Sequence, residues 1–516
     1  MSTGEHLRKL WNIITEYNLE GPNSYLRHVK RMIEHGMLDD DMARAYLFRI
    51  EPLVQHAIDY PNVLHRAPGW EQLYADGPPD IELGTLVDAP DVRFGLRVRD
   101  RPRSVLIAGA QGAGKTVALL NIIIKLYQLG HRDPAHHVCL IVRDCKGDYG
   151  HLPGQLGPDW VRLDYHDPRT RISLAAPEGV PPNAWINLVA SMFAARSGMV
   201  AAWTCFANMV RWLLAQLNPE PGPILRWPSL RLVLEVALAK DLTLWAAKPD
   251  YGRTLIGVLE AITQSAHIFD CFGGLDIERD IVRPGKHLLL EMPLVEPSWV
   301  RQFATDLILA QILFGRIHRH QKTDRAEICL CLDEMDTDAT AEADRHFPDR
   351  MSPLAHILRL GREFGIMVVV GMGRMRHASP YVLSEPRYHL IFNQSDSESV
   401  ATARSTLNVP GVDVMCPALQ PGECIAREAQ GPWPHPMLVK IDYQPPGRGP
   451  ISKSYDTHPL IPSVPLSELP EVKLALDKLA AAKRREKHEQ NKASAETLSD
   501  HARRLLNTAA VNLWAP

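Results

Sequence analysis

One stretch constrains this chain more than any other. A short apolar run, Val105 to Ala108, stops at Gly109, and the pattern G-x-x-x-x-G-K-T follows from Gly109 to Thr116. A helix-compatible apolar segment comes next. Strand, glycine loop and helix in that order make a phosphate-binding loop. Gly109, Gly112 and Gly114 let the backbone turn tightly and aim its N–H groups inward. Ala110, Gln111 and Ala113 complete the loop, and Val117 continues the helix that Lys115 and Thr116 open. The inward donors and the positive end of that helix form a seat for phosphates. Lys115 supplies a mobile charge to the β and γ phosphates of ATP, and the Thr116 hydroxyl suits a Mg²⁺ ligand.

At 516 residues the chain is long enough for more than one domain and a large core. Its net charge of −3 means that any nucleic-acid contact must come from a local patch or channel. None of the eight cysteines forms a C-x-x-C pair, so neither a zinc ribbon nor a disulfide framework is indicated. That usage fits a reducing cytoplasm. Glu5, Arg8 and Lys9 interrupt any apolar leader, and no window supplies the ~18 to 20 apolar residues of a membrane helix.

Residues 1 to 76 read as a helical region, with Leu7, Leu10, Trp11, Ile14 and Tyr17 at helical spacing. Docking, assembly and a plain helical cap are all open there. Residues 81 to 182 and 269 to 443 read as an α/β core with a mainly parallel sheet. It opens with a hairpin at 81–98, and apolar strands follow around Ile141, Val161, Leu289, Leu330, Val369 and Leu390. Residues 183 to 268 carry two long helical patterns split by prolines, an all-helical insertion. From 444 to 516 a proline-rich linker leads to a charged helix. Its cluster Lys483, Arg484, Arg485 and Lys487 is either a solvated face or a contact for DNA or a partner. The basic run Arg316, His318, Arg319, His320 and Lys322 closes a helix, where cations suit the dipole; a nucleic-acid patch is the alternative.

Two further stretches carry chemistry. Ile328 to Leu332 is apolar throughout and ends in Asp333-Glu334, as a strand buried on both faces would before two acids. Asp333 would hold the Mg²⁺ shell, and Glu334 would orient and deprotonate an attacking water. Arg143 to Tyr149, which contains D-x-K-G-D, sits at the carboxyl end of another strand, on the ligand side of an open α/β sheet.

A phosphate loop, a strand ending D-x-K-G-D, a strand ending D-E, and then G-R-x-F-G (Gly361 to Gly365) before another strand resemble the HerA/FtsK superfamily of P-loop motor ATPases. The type IV secretion coupling proteins belong to that group. The resemblance covers about residues 81 to 178 and 280 to 443. It implies a RecA-like core, a hexameric ring with ATP and Mg²⁺ between subunits, and DNA in the channel. By position, Lys115 and Thr116 would bind phosphate and Mg²⁺, Asp333 and Glu334 would be the Walker B pair, and Arg362 would reach a neighbour's ATP. The sequence departs from the family at Gly373, where a glutamine usually senses the γ-phosphate. Asn393 and Arg374 are the nearby substitutes, neither at matching spacing.

The expectation is therefore a cytoplasmic, ring-forming, ATP-driven DNA translocase. Two alternatives stand beside it. One is an ATPase coupling a protein or nucleoprotein substrate to a secretion or transfer channel. The other is a nucleotide-gated assembly factor with weak ATPase. A protein partner would dock through residues 1 to 76 or the C-terminal helix.

Overall fold

The computed structural model describes residues 67–445, apart from 100, 166, 168–169, 200–202, 221–224, 241–243, 246–248, 266, 273–276, 283–284, 293–296, 410 and 434, and residues 463–512, with isolated positions between 11 and 45; for 493–512 only the backbone is described. The helices expected over residues 1 to 76 lie mostly outside these residues, as does the proline-rich stretch at 446–462.

Among the described residues eleven strands form one sheet. They are β1 (Ile81–Leu86), β2 (Arg93–Leu96), β3 (Val105–Ala108), β4 (Cys139–Asp144), β5 (Trp160–Asp164), β6 (His287–Glu291), β7 (Thr323–Leu332), β8 (Phe364–Met372), β9 (Tyr388–Phe392), β10 (Glu423–Glu428) and β11 (Met437–Ile441). The spatial order is β2-β1-β11-β10-β9-β3-β8-β7-β4-β6-β5. The seven strands from β9 to β5 are parallel neighbours. The four from β2 to β10 extend the sheet in antiparallel pairs beyond β9.

Burial explains the apolar runs. All nine residues of β8 and all four of β3 are buried, because helices cover both faces of the parallel part. Side chains of β3 alternate between two cores. Val105 and Ile107 join the layer under α1 (Lys115–Arg132), while Leu106 and Ala108 join the opposite layer. That second layer holds α2 (Pro182–Ser197), α3 (Trp203–Leu217), α4 (Leu230–Ala239), α5 (Pro249–Ser265), α6 (Ser298–His318) and α7 (Pro353–Leu360).

Each of the two long helical patterns in the insertion is divided in two. Gly198 ends α2 in the left-handed conformation (φ 73°), its N–H donating to Ala194 O. Ser229 starts α4 by accepting from Leu232 N at 3.1 Å. The α7 helix ends just before the G-R-x-F-G stretch. It stops at Leu360, a tight turn spans Gly361–Glu363, and β8 begins at Phe364, before Gly365.

After β9 come α8 (Ser397–Leu407) and α9 (Val412–Ala418), the latter not expected from the sequence. The last helix is α10 (Pro470–Asn512). Its Val472, Leu476 and Ala480 form a buried stripe at spacing four, and Asp477 pairs with Lys240 at 2.7 Å. From 481 to 492 every residue is exposed, and Lys483 of the basic cluster donates to Leu244 O. Part of the basic run at the end of α6 is held inside the chain. Arg316 is buried, donating to Glu278 (3.0 Å), Glu327 (2.7 Å) and Phe364 O (2.8 Å).

Candidate nucleotide site

Parallel strands end at loops that open onto helix N-termini, and the candidate groups gather on that rim. The glycine loop follows β3 directly. Its first N–H, from Gly109, donates to Met372 O at the end of β8 (3.1 Å), and Ala110 N donates to Asn393 O beyond β9 (2.7 Å). The loop is thus tied to both flanking strands. Gly114 caps α1 at φ 116°, a conformation that L side chains rarely adopt, and it packs 3.0 Å (ideal Cβ to Cα) from Gly422. Gly422 N in turn donates to Ala113 O (2.8 Å). Gln111 and Gly112 are exposed at the loop's crest, while Thr116 and Val117 are half-buried in the first turn of α1.

Lys115 leans over the loop and donates to Ala110 O at 3.1 Å. Burial lowers its pKa, and the charges of Glu334, Asp333 and Asp336 offset part of that shift. One lysine thus faces three carboxylates in a partly desolvated cleft.

Those carboxylates come from the end of β7, two strands from β3 with β8 between. Asp333 is 4% exposed. A side chain at Gly371 on β8 would collide with it, since an ideal Cβ there lies 2.6 Å from Asp333 Oδ1. Asp333 also accepts from Tyr149 Oη at 2.6 Å and from the Glu334 N–H at 2.9 Å. Glu334 has φ 55° and pairs with Lys146 at 2.5 Å. Asp336 accepts from Gly373 N (2.9 Å) and Arg374 N (2.7 Å), so it fills the space over the residue that replaces the family's glutamine.

Of the two substitutes considered for that glutamine, Asn393 is committed elsewhere: its amide donates to Pro417 O (2.7 Å) and Leu419 O (3.1 Å). The Arg374 side chain is exposed. Gln394, one residue further on and 1% exposed, was not foreseen. With its amide assigned from the hydrogen-bond network, it accepts from Gly109 N (3.0 Å) and donates to Gly373 O (3.3 Å). It bridges the glycine loop to the end of β8. Tyr149 and Asp336 were also missed as participants. The only sequence signal for them was their place beside D-x-K-G-D and D-E.

A buried ionic chain backs the acids. Arg143, the penultimate residue of β4, pairs with Asp338 at 2.5 Å, and Arg196 at the end of α2 pairs with Asp306 on α6 at 2.6 Å and donates to Asp338 O at 3.3 Å. Burial works to raise the Asp338 pKa, but Arg143 first, then the Thr337 hydroxyl and Arg196, hold it below the usual carboxylate range. The loop after Glu334 is thereby fastened to the helical layer.

Arg362 lies elsewhere. It precedes β8, whose eight residue-to-residue steps at ~3.3 Å each separate it by about 26 Å from the rim that carries Lys115. It is exposed, with no hydrogen bond or ion pair among the described residues.

The residues present fit a magnesium nucleotide. Inward N–H donors and Lys115 suit phosphate oxygens, and the Thr116 hydroxyl with the Asp333 carboxylate offers hard oxygen ligands. A glycine loop ending one parallel strand, with two acids ending the strand two places away, defines a RecA-like P-loop ATPase fold. No protein-family model and no curated protein matches the sequence. Among solved structures, the chain is similar to VirB4 of Thermoanaerobacter pseudethanolicus, at 15% identity and TM-score 0.53 over 71% of this chain and 97% of that one. It is also similar to the bacterial conjugative coupling protein TrwB, lacking its N-terminal segment and unbound, at 15% identity and TM-score 0.52 (74% and 94% covered). The plasmid coupling protein TrwB in complex with ADP and Mg²⁺ matches at 16% identity and TM-score 0.51 (75% and 95% covered). The likeness is one of fold, and it is the fold that the HerA/FtsK resemblance implies. Among the described residues no helix is long and apolar enough to cross a membrane.

Proposed function

We propose that the chain is an ATP-hydrolysing DNA translocase of HerA/FtsK type, with hydrolysis at the subunit interfaces of a ring. One observation carries this reading. Lys115, Asp333 and Glu334 meet on one rim, whereas Arg362 stands on the opposite rim, out of reach of its own phosphate seat. In this reading Arg362 stabilises the transferring phosphoryl group in a neighbour's site. Lys115 and the loop N–H groups bind the phosphates. Thr116 and Asp333 hold Mg²⁺, which neutralises phosphate charge. Glu334 accepts the proton of the attacking water. The likeness to the plasmid coupling protein TrwB, solved with ADP and Mg²⁺, supports the nucleotide. The likeness to VirB4 favours a second reading, in which the same ATPase serves a secretion or transfer channel for a protein or nucleoprotein substrate.

The test is the ATPase rate of a sample of measured mass, with and without double- and single-stranded DNA. A DNA translocase is stimulated by DNA, and its DNA affinity falls steeply with salt as counterions are released. Lys115→Ala abolishes ATP binding or turnover. Unchanged hydrolysis in that variant would sink the assignment, and absent DNA binding moves the function to the channel reading.

A further inference from the structure

Two residues of one loop grip the two acids at the end of β7. Tyr149 donates to Asp333, and Lys146 pairs with Glu334. The loop is preformed, because the Asp144 carboxylate accepts from the N–H groups of Lys146 (3.1 Å), Gly147 (2.7 Å), Asp148 (3.2 Å) and Tyr149 (2.9 Å).

The two grips differ in kind. Tyr149 is 1% exposed and donates to Asp333 at 2.6 Å, a buried grip closed off from solvent. The Lys146 and Glu334 side chains are 52% and 30% exposed. A half-exposed ion pair is weak and breaks easily. Glu334 is moreover held in a left-handed backbone conformation (φ 55°) that L residues disfavour. Strain of this sort at a site points to a residue with more than one working position. Lys146 also lies near enough to Lys115 for the two charges to repel. The phosphate seat therefore has two lysines at its mouth, one fixed to the loop and one on a weak pair. At the place of the family's sensor glutamine, Gly373 has no side chain to offer.

We propose that Lys146 is the γ-phosphate-responsive residue of this site: it holds Glu334 while no γ-phosphate is present and transfers to the γ-phosphate of a bound triphosphate, freeing the Glu334 carboxylate for the attacking water. The inference rests on the ATPase reading above. A lysine suits the exchange, because its ammonium is a compact charge with three donors on a flexible four-carbon stem. A terminal phosphate carries more charge than a carboxylate and outcompetes it. A diphosphate offers no γ group, so the Lys146–Glu334 pair stays closed and Glu334 engages water only when there is something to hydrolyse.

The experiment compares binding of ADP and the non-hydrolysable analogue ADPNP, together with ATP turnover, in the wild-type chain, Lys146→Ala, Lys146→Arg and Lys115→Ala. Lys146 is exposed, so its substitution leaves folding intact. Lys146→Ala is expected to keep ADP affinity and to weaken ADPNP binding by ~10-fold or more, the worth of one charge-assisted hydrogen bond. Turnover falls with it, and Lys146→Arg restores part of the ADPNP preference. A merely structural role weakens both nucleotides alike, and that result overturns the inference. So does a Lys146→Ala variant that keeps its preference, or one that turns over faster, since then the pair only restrains Glu334. Wild-type turnover and its loss in Lys115→Ala separate the two levels. If both are seen and Lys146→Ala behaves as wild type, this inference alone fails. If the wild-type chain neither binds nor hydrolyses ATP, the ATPase reading fails and this one with it.

Discussion

The two rims of the parallel sheet are built in opposite ways. On the carboxyl rim four charged groups of the candidate site have partners within the chain: Lys115 with Ala110 O, Asp333 with Tyr149, Glu334 with Lys146, and Asp336 with the N–H groups of Gly373 and Arg374. On the amino rim the scaffolding is equally firm but the display is open. Arg316 pins Phe364 O from beneath, and Lys322 pairs with Glu363 in solvent at 2.9 Å. Between them Arg362 is exposed with no partner among the described residues. A closed set of charges is a site that one chain can organise. In the proposed ring, the open amino rim of one chain would supply Arg362 to the closed carboxyl rim of the next.

The largest expected effect breaks this contrast from the open side. Arg362→Ala should preserve ATP binding and ring formation and lower turnover by ~10³, if the arginine acts as fully as known arginine fingers do. Mixing Arg362→Ala subunits with Glu334→Gln subunits should then restore activity, because some interfaces receive an intact Glu334 from one chain and an intact Arg362 from the next. If mixed rings form and recover nothing, either Arg362 acts within its own subunit or several adjacent intact sites are needed. Titrating wild-type with Glu334→Gln subunits separates these, since a linear loss of activity rules out the second.

A smaller effect comes from the closed side. Glu334→Gln should keep nucleotide binding and reduce turnover by ~10², within the range that positioned acid–base groups supply. Its amide still occupies the space beside Lys146, so the rim stays assembled. Loss of nucleotide binding in this variant would show instead that Glu334 is a metal ligand or a structural member of the rim.

How much of this was legible depended on the distance in sequence between partners. The glycine loop and the acids of β7 are local patterns, and each carries its strand and turn in adjacent residues, so both were readable. The seven parallel strands were recognisable as apolar runs for the same reason. What joins the parts was not. Tyr149 and Asp333 are 184 residues apart, and Lys146 and Glu334 are 188 apart. No local periodicity marks such pairs. The edge order β2-β1-β11-β10 was hidden likewise, because β11 inserts between the opening hairpin and β10 through register alone. The splitting of the first helical pattern at Gly198 was readable in principle, since a glycine at a helix end is a stop signal; the apolar run on either side outweighed it.

The smallest expected effect tests whether the carboxyl rim is complete as it stands. The HerA/FtsK resemblance implies a glutamine where this chain has Gly373, and Gly373→Gln introduces one. The backbone there does not forbid a side chain. The obstacle is Asp336: an ideal Cβ on residue 373 lies 3.1 Å from Asp336 Oδ1, so the carboxylate must give by a few tenths of an ångström. That carboxylate is held by the N–H groups of Gly373 and Arg374, and beneath it Gln394 already links Gly373 O to the glycine loop. A new glutamine therefore meets an occupied position. Turnover in Gly373→Gln should change by about fivefold or less, the worth of one hydrogen bond of ~1 kcal/mol. A melting curve that matches wild type shows that the substitution leaves the fold intact. A much larger gain in turnover would show that the rim was short of a γ-phosphate contact all along, and that Lys146 and Gln394 do not replace the missing side chain.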